Sequence, residues 1–215
     1  MFVTSRDHGN LALHVDDDET AVRTNRARLA ERIGVAQVQF MRQVHGTGVA
    51  VVDEASDEDI ADVDALITTT PGVAVAVLVA DCVPIVITGA HGVAVVHAGR
   101  LGVAGNIVGA TVGRLRALGA GTLRAHVGPA ICGRCYEVPP DMQSEVAGVE
   151  AATLATTRAG TTALDLPAGV RAQLRRLDVE VAPDTAPCTL EDNRFFSHRR
   201  DAPTGRFAAV AMLLE

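Results

Sequence analysis

Short apolar runs bounded by glycine, proline or aspartate dominate the hydrophobic pattern of the chain. Runs of this kind that are rich in valine and isoleucine are typical of strands, and near-continuous ones are typical of strands covered on both faces. The pattern predicts strands over residues 35–44, 47–52, 65–69, 73–80, 84–88, 92–96, 124–127, 179–182 and 206–214. Much of the core is therefore expected to lie in sheets.

Other segments carry apolar residues at helical spacing. They predict helices over residues 19–33, 102–118, 142–146 and 167–177. The first of these has Asp16, Asp17, Asp18 and Thr20 as candidate capping residues at its start, and Gly34 as a stop signal at its end.

The connecting segments complete the predicted organisation. The acidic segment 53–64 is expected to be a solvated loop, and Pro71-Gly72 a turn. No repeat and no Pro/Ser-rich linker divides the chain, so a single domain over residues 1–215 is predicted. Strands and helices do not alternate cleanly, which favours the α+β class, with a mixed-sheet α/β arrangement.

Three candidate metal ligands stand at the ends of apolar runs: His45 in QVHG, Cys82 in ADCVP and His97 in VVHAGR. A strand would deliver each of them to the rim of a sheet. Imidazole nitrogen and thiolate sulfur are ligands that zinc prefers, and three protein ligands leave a fourth position open, as in catalytic zinc sites. The set predicts a catalytic zinc site, with Cys82 and His97 as catalytic residues.

Asp81 directly precedes Cys82 and has two interpretations. It could act in catalysis by orienting a ligand or a bound water, as carboxylates beside metal sites do. It could equally cap a turn.

The remaining cysteines are Cys132, Cys135 and Cys188. The spacing of Cys132 and Cys135 is compatible with a second zinc or a redox pair, but a zinc ribbon requires another such pair and the chain has none. An ordinary loop-and-strand role is expected for Cys132 and Cys135. With no secretory signal at the start, a disulfide framework is not expected either.

Charge and hydropathy exclude several classes of partner. The formal net charge is -7 without a basic block, which argues against nucleic acid, and no apolar run approaches the length of a membrane span. All 19 basic residues are arginine, so Schiff-base lysine chemistry is excluded and any anion must be held by arginine, backbone amides or metal. A soluble cytoplasmic protein is expected.

The motifs QVHG, ADCVP, VVHAG, GPAICGRCYEV and CTLEDNRFFSHRRDAPTGRFAAVAML together resemble the YfiH-type laccase-domain family, also described as a purine nucleoside phosphorylase or polyphenol oxidase family. The resemblance covers nearly the whole chain. It implies a four-layer α/β/β/α sandwich and a single zinc held by His45, Cys82 and His97. One departure is Arg100-Leu101, where the family commonly has Trp-Arg.

The resemblance also implies an activity. It is phosphorolysis of adenosine, inosine and methylthioadenosine with inorganic phosphate, accompanied by adenosine deamination. Asn10 and Arg26 match family positions that contact nucleoside or phosphate, and Arg100 is a further candidate for holding phosphate. The pocket at the rim could be completed by a second subunit in a homodimer.

Three alternatives remain open from the residues themselves. A His/Cys/His set also matches copper, Cu(2+), and an oxidase acting on phenols, although a multicopper oxidase needs a further histidine-rich cluster. A structural metal would be indicated if Cys132 or Cys135 supplied a fourth ligand. An activated water could also hydrolyse an amide in a cell-wall precursor.

Overall fold

A computed structural model describes residues 2–183 and 185–214 of the chain. The strands are β1 Phe2–Val3, β2 Val38–Gln39, β3 Met41–Arg42, β4 Val49–Val51, β5 Ile60–Ala61, β6 Ala65–Thr68, β7 Ala74–Val79, β8 Val83–Gly89, β9 Gly92–Ala98, β10 Arg124–Val127, β11 Leu154–Thr156, β12 Thr162–Leu164, β13 Glu180–Val181 and β14 Phe207–Met212. The α-helices are α1 Glu19–Ile33, α2 Arg100–Ala104, α3 Ile107–Ala117, α4 Pro140–Val149, α5 Leu166–Arg176 and α6 His198–Asp201, and 3-10 turns cover Arg6–His8 and Ala151–Thr153.

Two mixed sheets form the centre of the molecule. One has the order β1-β14-β7-β2, in which the β7–β2 pair is parallel and the other pairs are antiparallel. The larger has the order β13-β10-β8-β9-β6-β4, with parallel pairs at its two edges and antiparallel pairs between them. The predicted mixed-sheet α/β class is confirmed.

Alternate residues of the same strands contribute to different cores, because successive side chains of a strand point to opposite faces. Val75, Val77 and Val79 of β7 pack with Val93 and Val95 of β9, which places one core between the two sheets. Their neighbours in β7 pack with α1 in a second core. A third core joins the other face of the larger sheet to α2, α3, α4 and α5.

Helix α1 agrees with its predicted bounds and caps. The Asp18 side chain accepts a hydrogen bond from the backbone N–H of Thr20, which satisfies a free amide of the first turn. Gly34 ends the helix in the left-handed region, at φ 80°, and its N–H bonds to the carbonyl of Ala30.

The prediction of a single helix over residues 102–118 is wrong. Two helices occupy the segment, α2 and α3, with Gly105 and Asn106 at the break. Asn106 takes a left-handed conformation, with φ 63°, and its side chain accepts a hydrogen bond from the N–H of Gly109. Asparagine tolerates this conformation and caps helices well, so it starts a new helix where the apolar spacing alone indicated continuation.

The long strand predicted over residues 35–44 is also divided. Its first part, β2, pairs with β7, whereas β3 leaves that sheet and pairs with β5. The Gln39 side chain donates to the backbone carbonyls of Phe40 and Glu58, which ties the crossover to the acidic segment. The acidic segment is therefore not only a solvated loop: it contains β5, and its last residue, Asp64, is fully buried.

The ends of the remaining predicted elements differ from the structure by a few residues. The β11–β12 hairpin and the short helix α6 were not predicted, because both lie in polar segments without apolar periodicity. No helix in the described parts of the chain combines the length and apolar character that a bilayer crossing requires.

Candidate metal centre and adjoining cavity

The three predicted metal ligands lie together where β8 begins and β9 ends. Cys82 directly precedes β8, His97 lies in β9 opposite Pro84, and His45 lies in the turn between β3 and β4. Their donor atoms all lie within 4.8 Å of one another, and the Sγ of Cys82 is 3.9 Å from Nε2 of His45. The structure thus brings together residues that lie far apart in the sequence, from His45 to His97.

One buried carboxylate organises this cluster. Asp64 accepts hydrogen bonds from the backbone N–H groups of His45, at 2.9 Å, and Gly46, at 2.7 Å. Its Oδ1 also lies 2.8 Å from Nδ1 of His97. A carboxylate bonded to Nδ1–H fixes the tautomer in which Nε2 carries the free lone pair, and so prepares His97 to bind a metal.

The backbone at His45 has an unusual conformation that the same carboxylate supports. His45 has φ 60°, in the left-handed region, which costs a non-glycine residue energy. The hydrogen bonds that the turn donates to Asp64 hold this conformation, and the imidazole lies beside the His97 ring. Strain in the turn is therefore compensated by the residue that also orients His97.

The electrostatics of the cluster favour a thiolate. Burial opposes ionisation of Cys82, but the imidazoles of His97 and His45 outweigh it and lower the pKa of the thiol to about 6. Burial likewise disfavours the His97 imidazolium, but Cys82 and Asp64 raise the pKa of His97 to about 9. Without a metal, the two groups form a thiolate–imidazolium pair, and a cation that replaces the His97 proton would meet an ionised sulfur.

The donor set and its spacing fit a divalent metal ion such as zinc. In a tetrahedral zinc site the sulfur and nitrogen ligands are about 3.6 Å apart, close to the separation observed between Cys82 and His45. Gly99 adjoins the cluster, where a Cβ would come within 2.9 Å of the His45 ring and 3.2 Å of the Cys82 sulfur. A side chain at position 99 would therefore crowd the ligands.

Asp81 lies at the cavity, but its hydrogen bonds go to neither a metal ligand nor its own turn. It lines the cavity beside Cys82, but its oxygens accept hydrogen bonds from the Thr189 hydroxyl, at 2.6 Å, and from the backbone N–H of Arg199, at 2.7 Å. These contacts attach the β7–β8 turn to the C-terminal segment. The geometry assigns Asp81 to the positioning of this wall.

The cluster opens into a cavity of about 380 Å³, a volume typical of small-ligand sites. Three arginines line it, Arg100, Arg199 and Arg206, together with His14 and Tyr136. The other lining residues are Gln43, His45, Leu78, Val79, Ala80, Asp81, Cys82, His97, Leu101, Ile131, Leu166 and His198. The cavity thus combines an apolar wall with several cationic groups.

Of the three predicted substrate contacts, the structure brings only Arg100 to the cavity. Arg26 is held elsewhere: its guanidinium pairs with both oxygens of Asp59, donates to the carbonyl of Leu11, and stacks 4.0 Å from the centroid of the Phe40 ring. Residues 26 and 10 are both absent from the cavity lining. In the structure Arg26 instead takes part in a partly buried ion pair with Asp59.

Asn10 acts behind the cavity wall instead of in it. Its Oδ1 accepts hydrogen bonds from the backbone N–H of Ala12, at 3.0 Å, and of Arg206, at 2.8 Å. Its Nδ2 donates to Asp17. Asn10 therefore positions the backbone of Arg206, a residue that does line the cavity.

The sequence pattern does not single out Asp64, Tyr136 or Arg206 as residues of the centre. Asp64 ends an acidic run that has the composition of a solvated loop, so only the apolar strand that follows hinted at its burial. Tyr136 belongs to the motif GPAICGRCYEV, which supports the family resemblance but assigns no role to this side chain. Arg199, in the segment Arg199-Arg200-Asp201, has two interpretations, an ion-pair cluster that stabilises the C-terminal turn and an anion clamp.

The fold and the site define a class: mixed-sheet α/β proteins in which an open His/Cys/His cluster faces a ligand-sized cavity. Residues 4–214 match the profile of the family described as "Multi-copper polyphenol oxidoreductase laccase", and the chain belongs to this family. The predicted family resemblance is thereby confirmed.

Relatives and solved structures agree with this membership. The "Purine nucleoside phosphorylase SCO2081" of Streptomyces coelicolor is 48% identical over 211 residues, which cover 95% of this chain and 87% of that protein. The crystal structure of Neisseria meningitidis protein NMB0706 has a TM-score of 0.85 and 32% identity, and covers 96% of this chain and 86% of that one. Bacillus licheniformis hypothetical protein YfiH has a TM-score of 0.84 and 28% identity, with 95% and 85% coverage.

Proposed function

We propose that the protein is a zinc-dependent purine nucleoside phosphorylase. The single observation that carries the proposal is the convergence of three arginines with the His45, Cys82 and His97 cluster in one cavity. The name of the Streptomyces coelicolor relative supports the same activity, since nearly half of its aligned residues are identical to this chain. Adenosine, inosine and methylthioadenosine are the proposed substrates, with inorganic phosphate as co-substrate.

The arginines are proposed to bind phosphate. Guanidinium groups match phosphate oxygens in charge and geometry, and the chain has no lysine to do this. Arg100 is the best placed of them, because its ion pair with Glu145 is long, at 3.9 Å. Arg206 is held by the carbonyls of Thr204 and Gly205, so its remaining donors are fixed in direction. Such preorganisation keeps an anion in line with the sugar.

The nucleoside is proposed to lie against the apolar wall. Leu78, Leu101 and Ile131 supply aliphatic surface, and Tyr136 supplies a ring for the purine. Arg199 lies over the Tyr136 ring, 5.1 Å from its centroid, and donates to the carbonyl of Glu137 at 2.9 Å, so one face of the ring packs on a guanidinium that is itself held in place. The sugar would then lie between the base and the arginines.

In phosphorolysis a phosphate oxygen bonds to C1′ of the ribose while the bond from C1′ to N9 of the purine breaks. The base leaves with the electron pair and takes up a proton, which gives ribose 1-phosphate and the free base. Zinc held by His45, Cys82 and His97 would supply a Lewis acid that polarises a substrate atom or acidifies water. The arginines hold the anionic reactant, and the apolar wall excludes water from C1′.

Adenosine deamination is proposed as a second activity of the same cavity. It replaces the 6-amino group by an oxygen from water and releases ammonia, so it needs a group that accepts and returns a proton. Burial, followed by the charge of Arg206, lowers the pKa of His14, which keeps this imidazole neutral at pH 7. His14 lines the cavity and is the proposed proton acceptor.

Copper oxidation of phenols is not proposed, despite the description of the family. In residues 2–183 and 185–214, the groups whose donor atoms could share a metal are the His45, Cys82 and His97 cluster and a cysteine-rich group without histidine. Neither resembles the histidine-rich cluster that a multicopper oxidase needs to reduce oxygen.

The proposed function is tested by identifying the products that the protein forms from adenosine. Zinc-loaded protein is incubated with adenosine, with and without phosphate. Ribose 1-phosphate that forms only with phosphate supports phosphorolysis, and inosine that forms without phosphate supports deamination. Parallel assays with a phenol and with a cell-wall peptide test the oxidase and amide hydrolase. If neither ribose 1-phosphate nor inosine forms, the proposed function is wrong.

A matched pair of variants tests the phosphate site. Arg100→Gln is expected to raise the KM for phosphate at least about tenfold, the loss of one charge-assisted interaction. Arg124→Gln is the control, since Arg124 is exposed on β10 and pairs with Glu180 at the surface. An equal effect of both substitutions would contradict a specific role of Arg100.

A further inference from the structure

A second cluster of potential metal ligands lies outside the cavity. The sulfur atoms of Cys132, Cys135 and Cys188 and a carboxylate oxygen of Glu191 all lie within 4.8 Å of one another. The three thiols are free and partly buried. In a tetrahedral zinc site adjacent thiolate sulfurs are about 3.8 Å apart, so the four donor atoms already have nearly the spacing of a shared ion.

Two turns of the same construction present these ligands. The carbonyl of Cys132 accepts hydrogen bonds from the N–H groups of Cys135, at 2.9 Å, and Tyr136, at 3.0 Å. The carbonyl of Cys188 accepts from the N–H groups of Glu191, at 3.1 Å, and Asp192, at 2.9 Å. Each turn therefore brings residues i and i+3 to one side, as paired zinc ligands require.

We propose that Cys132, Cys135, Cys188 and Glu191 form a second metal site, which holds a structural zinc ion. A zinc ribbon needs a second pair of cysteines, which the sequence lacks. The segment from Cys188 to Glu191 supplies the second pair of ligands, with a carboxylate in place of the last cysteine. Four protein ligands close the coordination shell, which distinguishes this site from the open cluster in the cavity.

The surroundings of the cluster suit this ligand set. The N–H of Cys132 lies 3.3 Å from the Cys188 sulfur, a contact that stabilises negative charge on sulfur. Three thiolates and a carboxylate exceed the charge of a divalent ion, and Arg158 partly offsets the excess. Its guanidinium donates to the Cys135 sulfur at 3.0 Å and pairs with the carboxylate of Glu191. Arginine thereby acts as the outer partner that metal ligands commonly have.

Packing also specifies the first turn. A Cβ at Gly133, between Cys132 and Cys135, would come within 2.6 Å of the Asp165 side chain. Asp165 is the N-cap of α5 and accepts a hydrogen bond from the N–H of Ala168. The turn is therefore packed against the start of a helix, and its two cysteines are held in place by the fold.

The proposed ion would join two walls of the cavity. Residues Ile131 and Tyr136, on either side of the first turn, line the cavity, as does Arg199 beyond the second turn. A parallel bridge connects Ala130 to Cys188, and Thr189 donates to Asp81 beside Cys82. The structural zinc would fix the distance between these walls without touching the substrate.

The test is a metal titration of the full chain carrying Cys82→Ser, which removes a ligand of the open cluster only. The chain is stripped of metal under reducing conditions and titrated with Co²⁺, whose charge-transfer absorption reports thiolate ligands. One equivalent of Co²⁺ is expected to bind, with the charge-transfer absorption of several sulfur ligands. One equivalent of Zn²⁺ should displace the bound Co²⁺. If the Cys82→Ser chain binds no Co²⁺ through sulfur, the proposal is overturned.

A second pair of variants locates the bound ion. Glu191→Gln in the Cys82→Ser background is expected to weaken Co²⁺ binding at least tenfold, whereas Glu137→Gln, an exposed carboxylate of the same region, leaves it unchanged. An equal effect of both variants would remove Glu191 from the ligand set. If cysteines of this cluster formed a disulfide even under reducing conditions and the chain bound no metal there, the proposal would also be overturned.

The outcome does not depend on the proposed enzyme activity. The titration measures metal bound when the open cluster has been disabled, and no turnover is needed. A failed phosphorylase assay would leave this result intact, and a failed titration would leave the assay intact.

Discussion

The two clusters of metal-binding side chains are built on opposite plans. The cluster of His45, Cys82 and His97 offers three donors and faces a cavity, whereas the cysteine-rich cluster offers four and is closed on itself. Two ligands of the first, Cys82 and His97, lie at the ends of the long strands β8 and β9, whereas those of the second come from two short turns. An open shell suits chemistry on a substrate, and a closed shell suits a structural link.

The charged residues that hydrogen-bond to the ligands of each cluster also differ between the two clusters. Two neutral imidazoles and one thiolate leave a divalent ion with excess positive charge, and the outer partner is the carboxylate of Asp64. Three thiolates and a carboxylate leave excess negative charge, and the outer partner is the guanidinium of Arg158. The charge behind each cluster is opposite to the charge that the loaded site would carry. The outer partner of each cluster therefore suits the divalent cation that we propose for it.

The largest expected effect comes from breaking the open cluster. Cys82→Ala should remove the metal from the cavity and reduce turnover of adenosine with phosphate by more than about 100-fold, because changes even to outer partners cost about 10- to 100-fold. Metal content by mass spectrometry and ribose 1-phosphate formation measure it. Full metal content with full turnover would show that the cluster is not the active centre.

The next largest effect concerns the outer carboxylate. Asp64→Asn should lower metal affinity or turnover by about 10- to 100-fold, since it weakens the bond that orients His97 and the support of the turn at His45. Asp62→Asn is the matched control, because Asp62 is exposed and pairs with Arg42 at the surface. Competition with a chelator measures the affinity, and equal values for the two variants would contradict the role of Asp64.

Thiol reactivity should separate the clusters when metal is removed. The histidines lower the pKa of Cys82 to about 6, whereas burial, with the neighbouring thiols, outweighs Arg158 and raises the pKa of Cys135 to about 12. Thiolate is the nucleophile, so Cys82 should be alkylated first at pH 7. Its rate should fall about tenfold per pH unit below about pH 6, as protonation removes the thiolate.

Mass spectrometry of iodoacetamide-treated peptides measures these rates. Metal loading should protect Cys82 by occupying its sulfur. Earlier modification of Cys135 than of Cys82 at pH 7 would contradict the assigned electrostatics.

The smallest effect on turnover is expected at the closed cluster. Cys135→Ser should cost about 2 kcal/mol or more and lower the melting temperature by at least about 4 °C in a chain of this size. Turnover at 25 °C should fall less than tenfold, because the cysteine does not contact substrate. Calorimetry and the adenosine assay are run together, with Glu137→Gln as the control. An unchanged melting temperature would argue against a structural metal.

The sequence predicts the parts of the molecule that depend on local pattern. The long strands β7, β8 and β9 and the caps of α1 follow from apolar runs and from Asp18 and Gly34. His45, Cys82 and His97 could be selected because their chemistry and their positions at strand ends are both visible in the sequence. The α2–α3 break was missed because Asn106 caps a helix within a continuous helical pattern.

The rest of the centre depends on contacts between distant segments. Asp64 meets His97 across paired strands, and Cys188 contacts Cys132 beside the bridge at Ala130. Arg26 has the same chemistry as Arg206, and only the fold decides which guanidinium pairs with Asp59 and which lines the cavity. A single sequence does not indicate which of two chemically equivalent arginines will line the cavity.

Anomalous diffraction at the zinc edge from crystals of the zinc-loaded protein tests the central assignment most directly. We expect a peak bonded to Nε2 of His45, Sγ of Cys82 and a ring nitrogen of His97, with its open side toward the cavity, and a second peak among Cys132, Cys135, Cys188 and Glu191. A zinc-loaded crystal without density between His45, Cys82 and His97 would contradict it.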